Sequence, residues 1–388
     1  MTKHRSDNSL TPFAIEFIVY ARQPMPTMEH QRLITELQTH GLKLQEASPG
    51  VAGRKGGAGP SDHKAITING TTVMVPIYTG SASQSPYSVE TCAADANHLT
   101  YQQQPIQSIE FPKQPRFYSL STSDGTPYWK IALLHSRDVL ATTVQQTCMR
   151  YRDEATACQF CAIEKSLASD RTIARKTPEQ LAEVAEAAVR LDGVKHMIMT
   201  TGTPNTKDRG TAYLSDCARA IKARVPLPIQ AQCEPPDDFA WFSHMQAAGI
   251  DSLGMHLEAV DATVRSRIMP GKAEIPVSYY FKAFEAAVQV FGWGQVSTYL
   301  LAGLGDSLET LVTTSEQLIR LGVYPFVVPF VPISETPLAH HPAPSADFMF
   351  ALYQQVGSLL KAAGMTSDTM NAGCAKCGAC SAISTFER

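Results

Sequence analysis

Six apolar, β-type segments alternating with five amphipathic helical ones predict an α/β fold: a partial (β/α)6 TIM-like barrel, preceded by an N-terminal α+β domain and followed by a Cys-rich C-terminal tail. The apolar segments fall at 139–145, 195–201, 227–233, 251–257, 295–302 and 325–331, a spacing that leaves room for one helix between each pair. Between them the apolar residues recur with helical period, as in Leu181, Val184, Ala185, Ala188 and Leu191. The pattern divides the chain at 1–137, 138–345 and 346–388, the last piece being a helix and a C-x2-C-x2-C tail.

Each element has a local reason. In the N-terminal part, Asn69 and Gly70 stand between alternating apolar residues from Ile66 to Val75, a two-residue hairpin signal. Asp124 and Gly125 suggest a second hairpin. The stretch from Gly50 to Ser61 is too rich in glycine for helix or strand; it is either a plain loop or an anion-binding lid carrying Arg54 and Lys55. In the barrel part, Thr177 with Gln180 three residues on forms a capping box for a helix from Pro178. Further helices run through Leu214, Cys217, Ala218 and Ile221, then Tyr280 to Phe291, then Leu308 to Ile319, the last two stopping at Gly292 and Gly322. A shorter one, Asp238 to Ala248, stops at Gly249.

Composition narrows the function classes. A formal charge of -3 with scattered Lys and Arg offers no basic stripe for nucleic acid. Every apolar run is cut well short of the roughly 20 residues a membrane helix needs. The start, MTKHRSDNSLTPF, lacks the apolar stretch of a secretory signal, so a cytoplasmic protein is expected. Nine cysteines in a reducing compartment point to metal rather than to disulfides, and six of them fall in two clusters.

The first cluster is Cys148, Cys158 and Cys161, spaced C-x9-C-x-F-C just past the first barrel strand. Three thiolates can hold three corners of a 4Fe-4S cluster and leave one iron open. Zinc is the competing metal, but its structural sites want four ligands and no fourth Cys or His follows locally. The second cluster, Cys374, Cys377 and Cys380, admits an auxiliary 4Fe-4S cluster, a zinc site or free reactive thiols on a disordered tail. Cys92 and Cys233 are its candidate remote ligands, whereas Cys217 lies on the apolar face of its helix. Parallel α/β sheets bind ligands at the C-terminal ends of their strands, where Thr200, Thr201, Gly202, Cys233, Glu234, His256, Glu258, Gly303 and the stretch 329–332 fall. Gln230, Gln232 and Glu234 alternate on one side of the third strand; they form either a polar wall inside the barrel or a wetted edge.

A partial barrel with a three-cysteine loop after its first strand, and Phe160 just before the last cysteine, resembles the radical S-adenosylmethionine (SAM) superfamily. The nine-residue gap departs from the usual C-x3-C-x2-C of that superfamily. Phrases such as LATTVQQTCMRY, CQFCAIEKSL, QAQCEPPDD, GMHLEAVD, STYLLAGLGD and GCAKCGACS resemble one branch, the radical SAM proteins encoded beside a nitrilase in cyanide-assimilation gene clusters, and more distantly biotin and lipoyl synthases.

The resemblance implies that SAM chelates the open iron, and that an electron from a donor such as flavodoxin or ferredoxin breaks it to methionine and a 5′-deoxyadenosyl radical. That radical takes hydrogen from a small, nitrogen-containing metabolite. Thr200, Thr201 and Gly202 match the motif whose carbonyls receive the SAM amine, although Thr stands where Gly is usual. Glu258, in M-H-L-E, matches the carboxylate that takes the ribose hydroxyls, which suits a diol because a carboxylate accepts two hydrogen bonds. Among Arg265, Arg267 and Lys272, Arg267 is preferred for a carboxylate. Gln232, Gly303 and Val331 complete the expected cofactor contacts, and His256 and Glu234 are the candidate catalytic residues, with a core histidine as the alternative for His256. A probable second cluster, a nitrilase, an acetyltransferase and a flavoprotein are the implied further partners. Sulfur insertion of the biotin synthase kind and a non-catalytic iron-sulfur or zinc carrier are the alternative functions.

Overall fold

A computed structural model describes residues 27–44, 63–77, 79–91 and 97–388; Arg54, Lys55 and Cys92 lie outside them. The first described helix, Thr27–His40, packs on a hairpin of β1 (His63–Ile68) and β2 (Thr71–Pro76). Asn69 and Gly70 both take positive φ, 48° and 80°, as a type I′ turn requires. An antiparallel meander follows: β3 (Tyr87–Thr91), β4 (Asn97–Tyr101) and β5 (Gln104–Ile109). The hairpin expected at Asp124 and Gly125 is reduced to one bridge, Ser121 to Pro127, because Tyr128–Ile131 turns helical immediately after it.

The central sheet has seven strands, not six. A short edge strand, β6 (Leu133–His135), pairs antiparallel with β7 (Val139–Thr143). From there β8 (His196–Thr200), β9 (Ile229–Gln232), β10 (Ser252–Gly254), β11 (Val296–Ala302) and β12 (Val323–Pro329) follow in parallel and in sequence order. Sequential parallel pairing with helical crossovers curls the sheet into a half-barrel of TIM type. The capping box at Thr177 forms, and the helix Pro178–Asp192 buries Leu181, Val184, Ala185 and Ala188. Gly193, Gly249, Gly292 and Gly322 end helices with positive φ. β12 is buried along its whole length, as a parallel strand covered on both faces should be.

β10 is shorter than its apolar run. After Gly254 the ladder is interrupted: the Leu257 amide bonds the Thr298 hydroxyl, and pairing resumes only at the bridge from Glu258 to Leu300. Two-residue alternation therefore does not carry from β10 to His256 and Glu258.

The cysteine-rich tail is folded. After the helix Ala346–Ala362 the chain returns to the half-barrel, where the Gly373 amide donates to His196 Nδ1 (3.3 Å) and the Cys374 amide to Gln230 Oε1 (3.1 Å). His196 opens β8 and Gln230 lies early in β9, so the tail closes the barrel where the strands begin. Ser381 bonds the Val327 carbonyl, and the Met74 amide donates to the Ala379 carbonyl at 2.7 Å, tying the tail to β12 and β2.

Candidate active site at the open end of the half-barrel

The loop after β7 brings Cys148, Cys158 and Cys161 to the C-terminal ends of the strands. It is paired to the end of β8: Val144 donates to Thr200, Gly202 to Gln145 and Met149 to Thr203, at 2.8 to 2.9 Å. Gly202 is needed for this approach, since a Cβ there would stand 2.2 Å from the Thr147 carbonyl oxygen. Thr200 and Gly202 thus hold the cysteine loop, and the Thr200 carbonyl is already engaged. Burial raises Cys158 and Cys161, the latter to about 12, and Cys161 also feels the charge of Cys148. Cys158 and Phe160 pack on a small apolar cluster of Ala259, Val264, Ile268, Met269, Leu304 and Phe330.

Arg150, inside the nine-residue gap, forms a buried ion pair with Glu234 just past β9. Arg209 (3.2 Å) and the Thr203 hydroxyl (2.8 Å) complete the shell of that carboxylate. Burial alone would raise Glu234, but Lys272 and Arg150 outweigh it and hold it below its ordinary range. The loop also packs on Gly271, whose Cβ would meet the Thr156 carbonyl at 2.7 Å. The gap therefore supplies the residues that fasten the loop to the barrel.

Glu258 takes φ 64°, rare for a residue with a side chain, and pairs with buried Lys272 at 2.8 Å. Burial disfavours the Lys272 charge, but Glu258, Tyr280, Glu234 and Cys158 push its pKa upward overall. His256 Nδ1 accepts the Tyr299 amide at 3.2 Å, and burial with Lys272 pushes its pKa down to about 3. Arg265 donates through its two terminal nitrogens to the carbonyls of Leu257, Ala259, Lys272 and Ile275, a structural clamp, while its buried Nε has no partner. Arg267 donates to the Leu304 carbonyl at 3.0 Å beside Gly305, and Gly303, at φ 103°, abuts Pro344. Lys272 is thus the cation at Glu258.

Gln230 and Gln232 face the tail. Gln232 Nε2 lies 3.0 Å from Cys374 Sγ, so Gln232 stands at the second triplet rather than at the first. His135 Nε2 is 3.4 Å from Cys380 Sγ, and burial raises Cys377 to about 12. Cys233 is buried in the core, where it feels the charges of Glu234, Asp208 and Arg209. A cavity of about 180 Å³ has Phe160 of the first loop and Cys380 of the tail in its lining. Tyr299, Leu301, Val328 and Val331 line its barrel side, with Gln38 and His63 from the N-terminal part. Tyr299 and His135 carried no signal in the sequence beyond their residue type.

Among the described residues no group of three or more His, Cys, Asp or Glu is disposed to hold a single metal ion. A four-iron cube spreads its thiolates further apart than one ion does, and the first triplet supplies its donor set: three half-buried free thiols on one loop, beside an apolar wall. No helix among the described residues is long and apolar enough to cross a membrane.

The family model described as Radical SAM superfamily matches residues 148–318. The bacteriochlorophyllide c C-7(1)-hydroxylase of Chlorobaculum limnaeum is 24% identical over 358 residues, 86% of this chain and 87% of that one. The mitochondrial lipoyl synthase of Branchiostoma floridae is 25% identical over 193 residues, 47% of each chain. The crystal structure of methylornithine synthase superposes with a TM-score of 0.44 at 16% identity, covering 62% of this chain and 71% of that one. A family match that starts on the first cysteine of the loop, in a half-barrel that presents that loop at its open end, identifies residues 148–318 as a radical SAM core and the protein as a radical SAM enzyme.

Proposed function

We propose that the enzyme holds its SAM-binding 4Fe-4S cluster on Cys148, Cys158 and Cys161 and a second cluster on Cys374, Cys377 and Cys380, and acts on a small substrate between them. The observation that carries this reading is the cavity bounded by Phe160 and Cys380. When bound, the first cluster supplies the electron that splits SAM to a 5′-deoxyadenosyl radical. Glu258, held by Lys272, is placed to take the ribose hydroxyls, and His256, neutral at physiological pH, orients Tyr299 toward the cavity. Thr201, Arg267, Gly303 and Val331 are the further proposed SAM contacts.

The lining asks for a largely apolar body: Met74, Leu301, Val328, Phe330 and Ile333 surround the space, with Gln38 and His63 able to meet one polar end. A nitrogen-bearing group at that end fits both the lining and the resemblance to the nitrilase-cluster branch. Sulfur insertion is the second reading, favoured because Cys380 lines the same cavity. The carrier alternative falls with the family assignment.

Deuterium transfer into 5′-deoxyadenosine from labelled candidate metabolites tests the proposal. Val328→Trp, which fills the cavity, should abolish transfer while SAM cleavage without substrate persists. Transfer undiminished in that variant would place the substrate elsewhere. Loss of the second cluster during turnover would favour sulfur insertion.

A further inference from the structure

Each sulfur of the second triplet meets a side-chain donor. Gln232 Nε2 lies 3.0 Å from Cys374 Sγ and His135 Nε2 3.4 Å from Cys380 Sγ. The Tyr299 hydroxyl also stands beside Cys374, and the Ser136 hydroxyl beside Cys377, each placed to donate to the sulfur. These donors come from β9, the end of β6 and the turn after it, and β11, so the sheet itself fixes their directions. They are braced in turn. Gln230 Oε1 receives Gln232 Nε2 at 2.8 Å and the Cys374 amide at 3.1 Å, while Gln230 Nε2 donates to Ser297 Oγ at 3.1 Å. Gln230 and Ser297 are buried, and Gly373 touches Gln230 too closely for any side chain.

We propose that His135, Ser136, Gln232 and Tyr299 are positioning residues that donate hydrogen bonds to the cysteine sulfurs of the second cluster and raise its reduction potential. The inference rests on the second-cluster reading above. Reduction adds one electron, whose charge spreads onto the sulfurs, and donors aimed at them stabilise the reduced form more than the oxidised one. Partial burial of the three cysteines strengthens that preference, because it limits the water that can compete with these donors. The consequence is a cluster at the cavity wall that takes up an electron readily instead of feeding one to SAM.

The test uses the full chain with Cys148, Cys158 and Cys161 all replaced by Ala, reconstituted anaerobically with iron and sulfide and titrated with dithionite under electron paramagnetic resonance. His135→Leu and Gln232→Leu should each lower the midpoint potential, and His135→Gln, which keeps a donor, should restore most of the loss. Ser136→Ala, in the turn after β6, gives a milder third reading of the same effect should a leucine variant release the tail. Potentials unchanged in all these variants would overturn the donor role while leaving the second cluster standing. Strong hyperfine coupling from a His135 nitrogen would overturn it in favour of direct ligation. Failure of any cluster to form on the intact tail would overturn the second-cluster reading, and this inference with it.

Discussion

Arg150 and Glu234 carry more of the site than their residue types announce. The pair is buried, and Arg209 shares the carboxylate, so removing one partner strands charge in a medium that cannot solvate it. Glu234→Gln should cost about 3–5 kcal/mol, read as a fall in thermal midpoint, and should lower the iron retained by the first triplet. An unchanged iron content would mean that the loop does not depend on this anchor. A carboxylate held ionised by Lys272 and Arg150 suits a fixed anion better than a proton carrier. Lys176 gives a pH signature of its own. Burial lowers its pKa to about 7, with only the Ile173 carbonyl (2.9 Å) and Gln146 (3.3 Å) as partners. Between that value and its ordinary range near 10.5 the unfolded chain binds the proton and the folded chain does not, so stability rises with pH across that window. Lys176→Met should flatten the rise in a series of thermal melts, and an unaltered slope would contradict the assignment.

At the scale of elements, two close approaches set the two cysteine segments. Gly202 lets the end of β8 lie against the residue before Cys148, and Gly373 lets the tail lie against β9. Gly202→Ala should destabilise by roughly 2 kcal/mol through overpacking and loosen the first triplet. Gly373→Ala should instead free the tail, which limited proteolysis would detect as cleavage near residue 373; equal resistance to proteolysis would show that the tail is held by other contacts. The periodic elements were legible in the sequence because burial writes them there: Leu181, Val184 and Ala188 can only be one face of a helix, and Asn69-Gly70 can only be a tight turn. The broken end of β10 was not. Its apolar run continues to Leu257, yet Thr298 offers a hydroxyl where the ladder would need a carbonyl, a tertiary choice that no local pattern records. The edge strand β6 escaped notice because three residues are too few to alternate. Cys148, Cys158 and Cys161 could be read from spacing alone, whereas the placement of Gln232 at the tail depended on where a distant segment returns.

For the whole molecule, the half-barrel is closed where its strands begin by its own C-terminus and left open where the first triplet lies. One cavity is lined both by Phe160 of the first cysteine loop and by Cys380 of the tail, although more than two hundred residues separate Cys161 from Cys374 in the chain. On the proposed function, a substrate in that cavity is within reach of both segments. The most direct test is SAM cleavage by the anaerobically reconstituted protein with dithionite. The account predicts release of 5′-deoxyadenosine and methionine, abolished by Cys158→Ala and retained in a variant with Cys374, Cys377 and Cys380 all replaced by Ala. An intact cluster on the first triplet with no cleavage, or cleavage that survives Cys158→Ala, would contradict it.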